Sequence, residues 1–156
     1  MDYQELVAQL NQKQLTITCA ESLTGGEFQS NLSRQPEAGN VYVGGFITYA
    51  TASKNKLLGV PKSVIDKAGV VSSLAAKQMA ERARTIAETD IGISFTGVAG
   101  PDQLEGNPVG TVYIGLSTVN LEQAKQYRFS GDSPQIVQQT CEKGIELLHR
   151  LLTADE

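Results

Sequence analysis

One histidine, no tryptophan and two cysteines are scarce endowments for a chain of 156 residues. Each scarcity removes a class of chemistry. The one histidine, His149, sits in "IELLHRLL" inside a helical pattern and reads as a surface or packing residue, which argues against a Ser-His-Asp triad. Cys19 and Cys141 lie in apolar surroundings and read as buried free thiols, and nothing in the spacing resembles a metal-ligand cluster. No apolar run approaches the roughly 18 residues that a membrane span needs. No basic-then-apolar segment opens the chain, so a cytoplasmic protein is expected. The 13 basic residues are dispersed and the net charge is −4, which argues against nucleic acid as a partner.

What is present is an alternation of helix and strand signals. The length fits one domain, 1–156, able to bury a core without disulfide or metal support. "YQELVAQLNQ" carries Leu6, Val7 and Leu10 at helical spacing, and "LTITC" reads as a short buried strand. Gly25 and Gly26 mark a turn, with a helix expected from about 27 to 34. "VYVGGFITYA" reads as a strand, and "ASKNKLLG" and "KSVIDKAG" as short helices. "SSLAAKQMAERARTIAET" is the clearest long helix, capped by Ser72 or Ser73. "DIGISFTG" and "GTVYIGLST" read as strands, and "EQAKQYRFSG" as a hairpin partner of the second. Pro134 starts a last helix running to about Leu152, and the tail "TADE" is expected to fray. Helices on both faces of one sheet make the expected fold class α/β, a three-layer α/β/α sandwich.

Ligands of such folds sit where strand ends run into glycine loops. Two places qualify, "CAESLTGG" at 19–26 and "FTGVAGP" at 95–101. Neither is a dinucleotide fingerprint or a P-loop; both can offer backbone N–H groups to an anion, and both can equally be tight turns. Ser22 is a helix cap, a turn residue or a nucleophile. As a nucleophile it needs a base, and a lysine can serve instead of histidine where its surroundings lower its pKa. Lys54 and Lys56 are the candidates, against a reading of both as solvated. Lys54 falls in the first turn of its helix, where the dipole disfavours an ammonium. Tyr49 reads as an orienting residue or as a core tyrosine. Glu21 can cap a helix, meet the lysine or orient an amide. Thr24 can bond the turn or an oxyanion, and Thr48 and Thr96 can be ordinary strand residues.

These same residues carry a family resemblance. "AESLTGG" at 20–26, "GGFITYATASKNKLLGV" at 44–60, "GVVSSLAAKQMAERA", "FTGVAGPDQLEGNPVGTVYIGL" and "FSGDS" follow one another as in the CinA C-terminal domain family, also called the nicotinamide mononucleotide deamidase family. The resemblance implies an amidohydrolase that converts nicotinamide mononucleotide and water to nicotinic acid mononucleotide and ammonia, a pyridine-nucleotide salvage step. It implies Ser22 as nucleophile, Lys54 as base and Tyr49 as an active-site tyrosine. An oxyanion and substrate shell would come from Glu21, Thr24, Gly25, Gly26, Thr48, Thr96, Gly97, Gly100 and Pro101. No metal or other cofactor is implied, the partner is a small pyridine nucleotide, and the assembly is a homodimer.

Several positions depart from the family pattern. The arginine of its GDR motif is Ser133, and the arginine one turn later is Val137. The asparagine after the tyrosine is Thr51, the cysteine of the serine motif is Leu23, the glycines after GP are "DQL" at 102–104, and the lysine before PVG is Asn107. Serine for arginine removes charge and bidentate reach. Three readings follow: a deamidase with another phosphate contact, a hydrolase of a less anionic amide, and a non-catalytic protein that binds a ligand or partner.

Overall fold

A computed structural model describes residues 1–154. Among these residues, six α-helices and five strands run in the order α1 (Tyr3–Lys13), β1 (Ile17–Glu21), α2 (Glu27–Ser33), β2 (Phe46–Ile47), α3 (Thr51–Leu58), α4 (Lys62–Ala68), α5 (Ser73–Ala87), β3 (Ile91–Gly97), β4 (Thr111–Ser117), β5 (Glu122–Arg128) and α6 (Ser133–Thr153). They form the expected three-layer α/β/α sandwich. The sheet order is β2-β1-β3-β4-β5. β1 pairs in parallel with β2 and β3, whereas β4 and β5 extend the sheet antiparallel. Thr153 closes the last helix, and Asp155 and Glu156 lie outside the described residues.

Period-two burial assigns the layers. Ile17 and Cys19 of β1, with Ile91, Ile93 and Phe95 of β3, meet Leu6, Leu10, Phe28, Leu32 and Leu148 of α1, α2 and α6 in the main core. Ala20, on the other face, packs with Leu58, Val60, Met79 and Ala83 under α3 and α5. Helix α5 lies very close to the sheet because its partners lack bulk. A Cβ on Gly92 would collide with the Ala80 carbonyl oxygen, and one on Gly115 with that of Ala76. Ser94, between them, donates to the same Ala76 oxygen at 2.6 Å.

Caps fix the helix ends. Asp2 with Glu5, and Asp132 with Gln135, form capping boxes, and Ser72 accepts from the Ala75 N–H. One expected strand is cut short. Only Phe46–Ile47 of the 41–50 stretch joins the sheet, with a single bridge from Tyr42 to Ile17. The glycine pair at 44–45 interrupts the run, and Tyr49 falls beyond the strand. No helix among the described residues is long and apolar enough to cross a membrane.

Candidate active site

The turn after β1 separates two neighbouring side chains onto opposite faces of the sheet. Glu21 points toward α2 and Ser22 toward α3, as alternation demands. Glu21 is fully buried; it accepts the Phe28 N–H at 3.0 Å, the Gln29 N–H at 3.0 Å and the Gln29 side-chain amide at 2.9 Å. Of its three expected roles, the structure shows helix capping, and its carboxylate does not meet the lysine. Gln29, which no motif or spacing singles out, also donates to the Phe46 carbonyl and accepts from the Tyr42 hydroxyl. It ties α2 to the edge of the sheet.

Ser22 is held from behind by its N–H, which donates to the Phe95 carbonyl of β3 at 2.9 Å. Its Oγ lies 2.9 Å from Nζ of Lys54. Lys54 is 1% exposed, so it is not a solvated surface lysine. Its Nζ also donates to the carbonyl oxygens of Thr48 and Tyr49, the latter at 3.2 Å. Nζ thus donates to Ser22 Oγ and to two carbonyls; once the amine loses a proton, with two hydrogens kept on the carbonyls, its lone pair is left for Ser22. Burial pushes the Lys54 pKa down to about 8, with the Glu105 carboxylate opposing the shift. Desolvation is the leading cause of the depression. Lys56, exposed on the same helix, has no part in this contact.

The expected oxyanion donors are redistributed. Gly25 donates to the Ser22 carbonyl at 3.1 Å, and the first turn of α2 is satisfied by Glu21, Thr24 and Gly26. The N–H groups of Leu23, Thr24 and Gly26 donate to no acceptor among the described residues. The hydroxyls of Thr24 and Thr48 are buried without a hydrogen-bond partner among them. Thr96 is committed: its Oγ1 donates to the Val70 carbonyl at 2.6 Å. Tyr49 is not a core residue; it is 72% exposed, and only its carbonyl reaches Lys54.

The second glycine loop leaves β3 beside the first. It contains a cis bond between Gly100 and Pro101. Ser133 lies against it and donates from Oγ to the Ala99 carbonyl at 2.7 Å. Val137 packs on the main core, and Thr51 faces away into a groove of about 430 Å³ between α3 and α4, with Asn55, Lys56 and Lys62. Leu23 is buried in the main core, where an apolar side chain suits the position. His149 is exposed near the end of α6. Cys19 and Cys141 are buried free thiols. No group of three or more metal-ligating side chains occurs among the described residues.

Comparison with known proteins gives a consistent result. The family model of the CinA C-terminal domain matches residues 3–152. A protein of Levilactobacillus brevis named for competence and damage induction is 48% identical over 148 residues, 94% of this chain and 36% of that relative. The chain thus spans about a third of the length of the curated relatives it matches. Among solved structures, a competence-damaged protein (CinA) superfamily member from Klebsiella pneumoniae is 28% identical, with a TM-score of 0.93 and 99% of each chain covered. One from Escherichia coli is 30% identical, with a TM-score of 0.89, covering 96% of this chain and 90% of that one. By sequence and by fold, the chain belongs to the CinA C-terminal domain family.

Proposed function

We propose that the protein is a serine–lysine carboxamide hydrolase that converts nicotinamide mononucleotide and water to nicotinic acid mononucleotide and ammonia. One observation carries the reading: the Ser22 Oγ stands 2.9 Å from the nitrogen of a buried lysine that also donates to two backbone carbonyls. A hydroxyl needs such a base to attack an amide.

The steps follow from that contact. Neutral Lys54 takes the Ser22 proton as Oγ bonds to the carboxamide carbon. The carbonyl oxygen becomes an oxyanion, met by the N–H groups of Leu23, Thr24 and Gly26 and by the Thr24 hydroxyl. On collapse the C–N bond breaks, and Lys54 returns its proton to the leaving nitrogen, which departs as ammonia. Water then attacks the acyl ester. Lys54 takes a proton from that water and restores it to Ser22, releasing the acid. The sequence of steps uses no metal or other cofactor. The 97–101 loop cradles the nucleotide, with Gly97, Gly100 and Pro101 close to it, and the Tyr49 ring covers the substrate from the exposed side. We assign the protein to the cytoplasm as a homodimer acting on a small pyridine nucleotide, with no nucleic-acid or membrane partner.

Ser133 offers one neutral hydroxyl, already spent on Ala99, to hold the phosphate. The reading therefore includes a high KM for the mononucleotide. The test is ammonia release from nicotinamide mononucleotide, its riboside and nicotinamide. Turnover that disappears in Ser22→Ala and in Lys54→Met supports it. Absence of ammonia from all three compounds refutes it.

A further inference from the structure

Two of the three acceptors around the Lys54 amine are the carbonyl oxygens of Thr48 and Tyr49, the two residues that follow β2. β2 is a slender support for them. It is the edge strand of the sheet, it has two residues, and β1 is its one strand partner. One further backbone bond, from the Thr48 N–H to the Glu21 carbonyl at 2.8 Å, follows the paired residues. Gly44 and Gly45 precede them, and a short, glycine-led strand has a weakly specified register.

A side chain supplies the missing hold. Gln29 of α2 is buried, and every polar group of its amide is used. One hydrogen of Nε2 goes to Glu21 Oε2 at 2.9 Å and the other to the Phe46 carbonyl at 3.1 Å, while Oε1 accepts the Tyr42 hydroxyl at 2.7 Å. The Phe46 ring packs with Leu58 and Met79 under α3 and α5, so β2 is clasped from both faces of the sheet. The residue type is specified. A carboxylate at position 29 would meet that of Glu21 and the Phe46 carbonyl without a hydrogen to offer either, and an apolar side chain would leave the Tyr42 hydroxyl unpaired. Gly45 makes room for the amide, since a Cβ there would stand 2.1 Å from Gln29 Oε1.

We propose that Gln29 is a positioning residue for Lys54: by holding the Phe46 carbonyl from α2 it fixes β2, so that the Thr48 and Tyr49 carbonyls present the lysine amine to Ser22. Gln29 itself touches neither Ser22 nor Lys54 through any of these bonds, and it acts two residues away along the backbone. Its bond to Glu21 joins the two halves of the site, because Glu21 directly precedes Ser22 and its carbonyl holds Thr48. For catalysis the proposal rests on the hydrolase reading, whereas the placement of Lys54 can be measured without turnover. A displaced base costs rate and not substrate affinity.

The experiment has a kinetic arm and a spectroscopic arm, both run on the unmodified protein, Gln29→Met, Tyr42→Phe and Ile91→Val. Gln29→Met keeps the bulk and removes the bonds. Tyr42→Phe only unpins Gln29 Oε1. Ile91→Val loosens the core at the opposite end of the sheet, where Ile91 pairs with Ile17, and controls for a general loss of stability. In ammonia release from nicotinamide mononucleotide, Gln29→Met should lower kcat by about 10–100-fold and change KM by less than about twofold. Tyr42→Phe should show the same split at smaller amplitude, and it decides the matter if Gln29→Met does not fold. Ile91→Val should keep kcat. In protein labelled with 13C-lysine, with the Lys54 signal identified by its loss in Lys54→Met, NMR relaxation should show an ordered Lys54 Cε that becomes mobile in Gln29→Met and stays ordered in Ile91→Val. An unchanged kcat, a fall explained by KM, or equal Lys54 mobility in Gln29→Met and Ile91→Val would overturn the proposal. If the unmodified protein releases no ammonia, the hydrolase reading fails and the relaxation arm alone decides the role of Gln29: selective loosening of Lys54 upholds it, and an unchanged Lys54 overturns it.

Discussion

Glu21 and Glu105 make the same kind of bond in two regions of the molecule. Each carboxylate accepts a pair of consecutive backbone N–H groups, Phe28 and Gln29 for the first and Val70 and Val71 for the second. Their depth differs. Glu21 is fully buried and takes a third bond from the Gln29 side chain, whereas Glu105 lies on an exposed turn. The buried carboxylate fixes the turn that presents Ser22. The exposed one can be altered without dismantling the fold. The contrast extends to their surroundings: Glu21 is enclosed by α2 and the sheet, while Glu105 tops a turn closed by the backbone bonds between Leu104 and Asn107. The proposed proton transfer depends on precise placement, and the Ser22 N–H and the Lys54 Nζ are both held by backbone carbonyls.

The strongest challenge to this contrast is at the centre. Ser22→Ala and Lys54→Met should each lower amide hydrolysis by roughly 10²–10⁴-fold while leaving the circular dichroism spectrum unchanged. Retained turnover in either would remove that residue from the mechanism.

The next largest effect is on stability. Glu21→Ala leaves two backbone donors and a side-chain amide buried without their acceptor, and should destabilise by about 3 kcal/mol in urea unfolding. Glu105→Ala, at an exposed position, should cost about 1 kcal/mol or less. Equal costs for the two would erase the distinction between depth and rim.

Lys54 supplies a pH test. Its pKa in the folded protein is about 8, below the ordinary 10.5, and the neutral form is the proposed base. The reaction rate should therefore rise about tenfold per pH unit up to about 8 and then level. Between about 8 and 10.5 the unfolded chain binds more protons at this lysine, so stability rises with pH across that window. The gain is at most about 3.5 kcal/mol, since each pH unit within the window contributes no more than about 1.4 kcal/mol. Unfolding measured against pH for the unmodified protein and Lys54→Met should diverge by this slope. Parallel curves would mean that the lysine titrates normally.

The smallest expected effect belongs to Ser133→Arg. A guanidinium there gives up the Ala99 contact, worth about 1 kcal/mol, and adds a charge-assisted bond to a phosphate. The KM for nicotinamide mononucleotide should fall by about tenfold or less, with little change for the riboside. Equal changes for both substrates would show that the position does not face the phosphate.

Much of this was legible in residue order. The alternation of apolar runs, the alanine-rich α5 and the signals at Ser72 and Pro134 carried the layers. The motif at 20–26 and Lys54 pointed to a base without histidine. Where reading along the chain failed, long-range contacts set the outcome. The 41–50 run has strand composition, yet only Phe46–Ile47 pairs, because strand formation depends on what the neighbouring backbone meets. Tyr49 suits a core or a surface equally by type, and the early end of β2 leaves its ring outside.

Residue order alone set the helix and strand periods, the opposite facing of Glu21 and Ser22, and the presence of one serine and one lysine in suitable motifs. These properties are local, fixed by period and residue type. Three-dimensional packing settled that Lys54 is buried against two carbonyls, that Glu21 serves α2 and not the lysine, and that Glu105 crosses 35 residues of chain to rest on Val70. Burial and hydrogen-bond partnership are properties of distance in space. The same carboxylate or amine becomes a helix cap, a buried donor or a surface charge according to what the folded backbone brings against it.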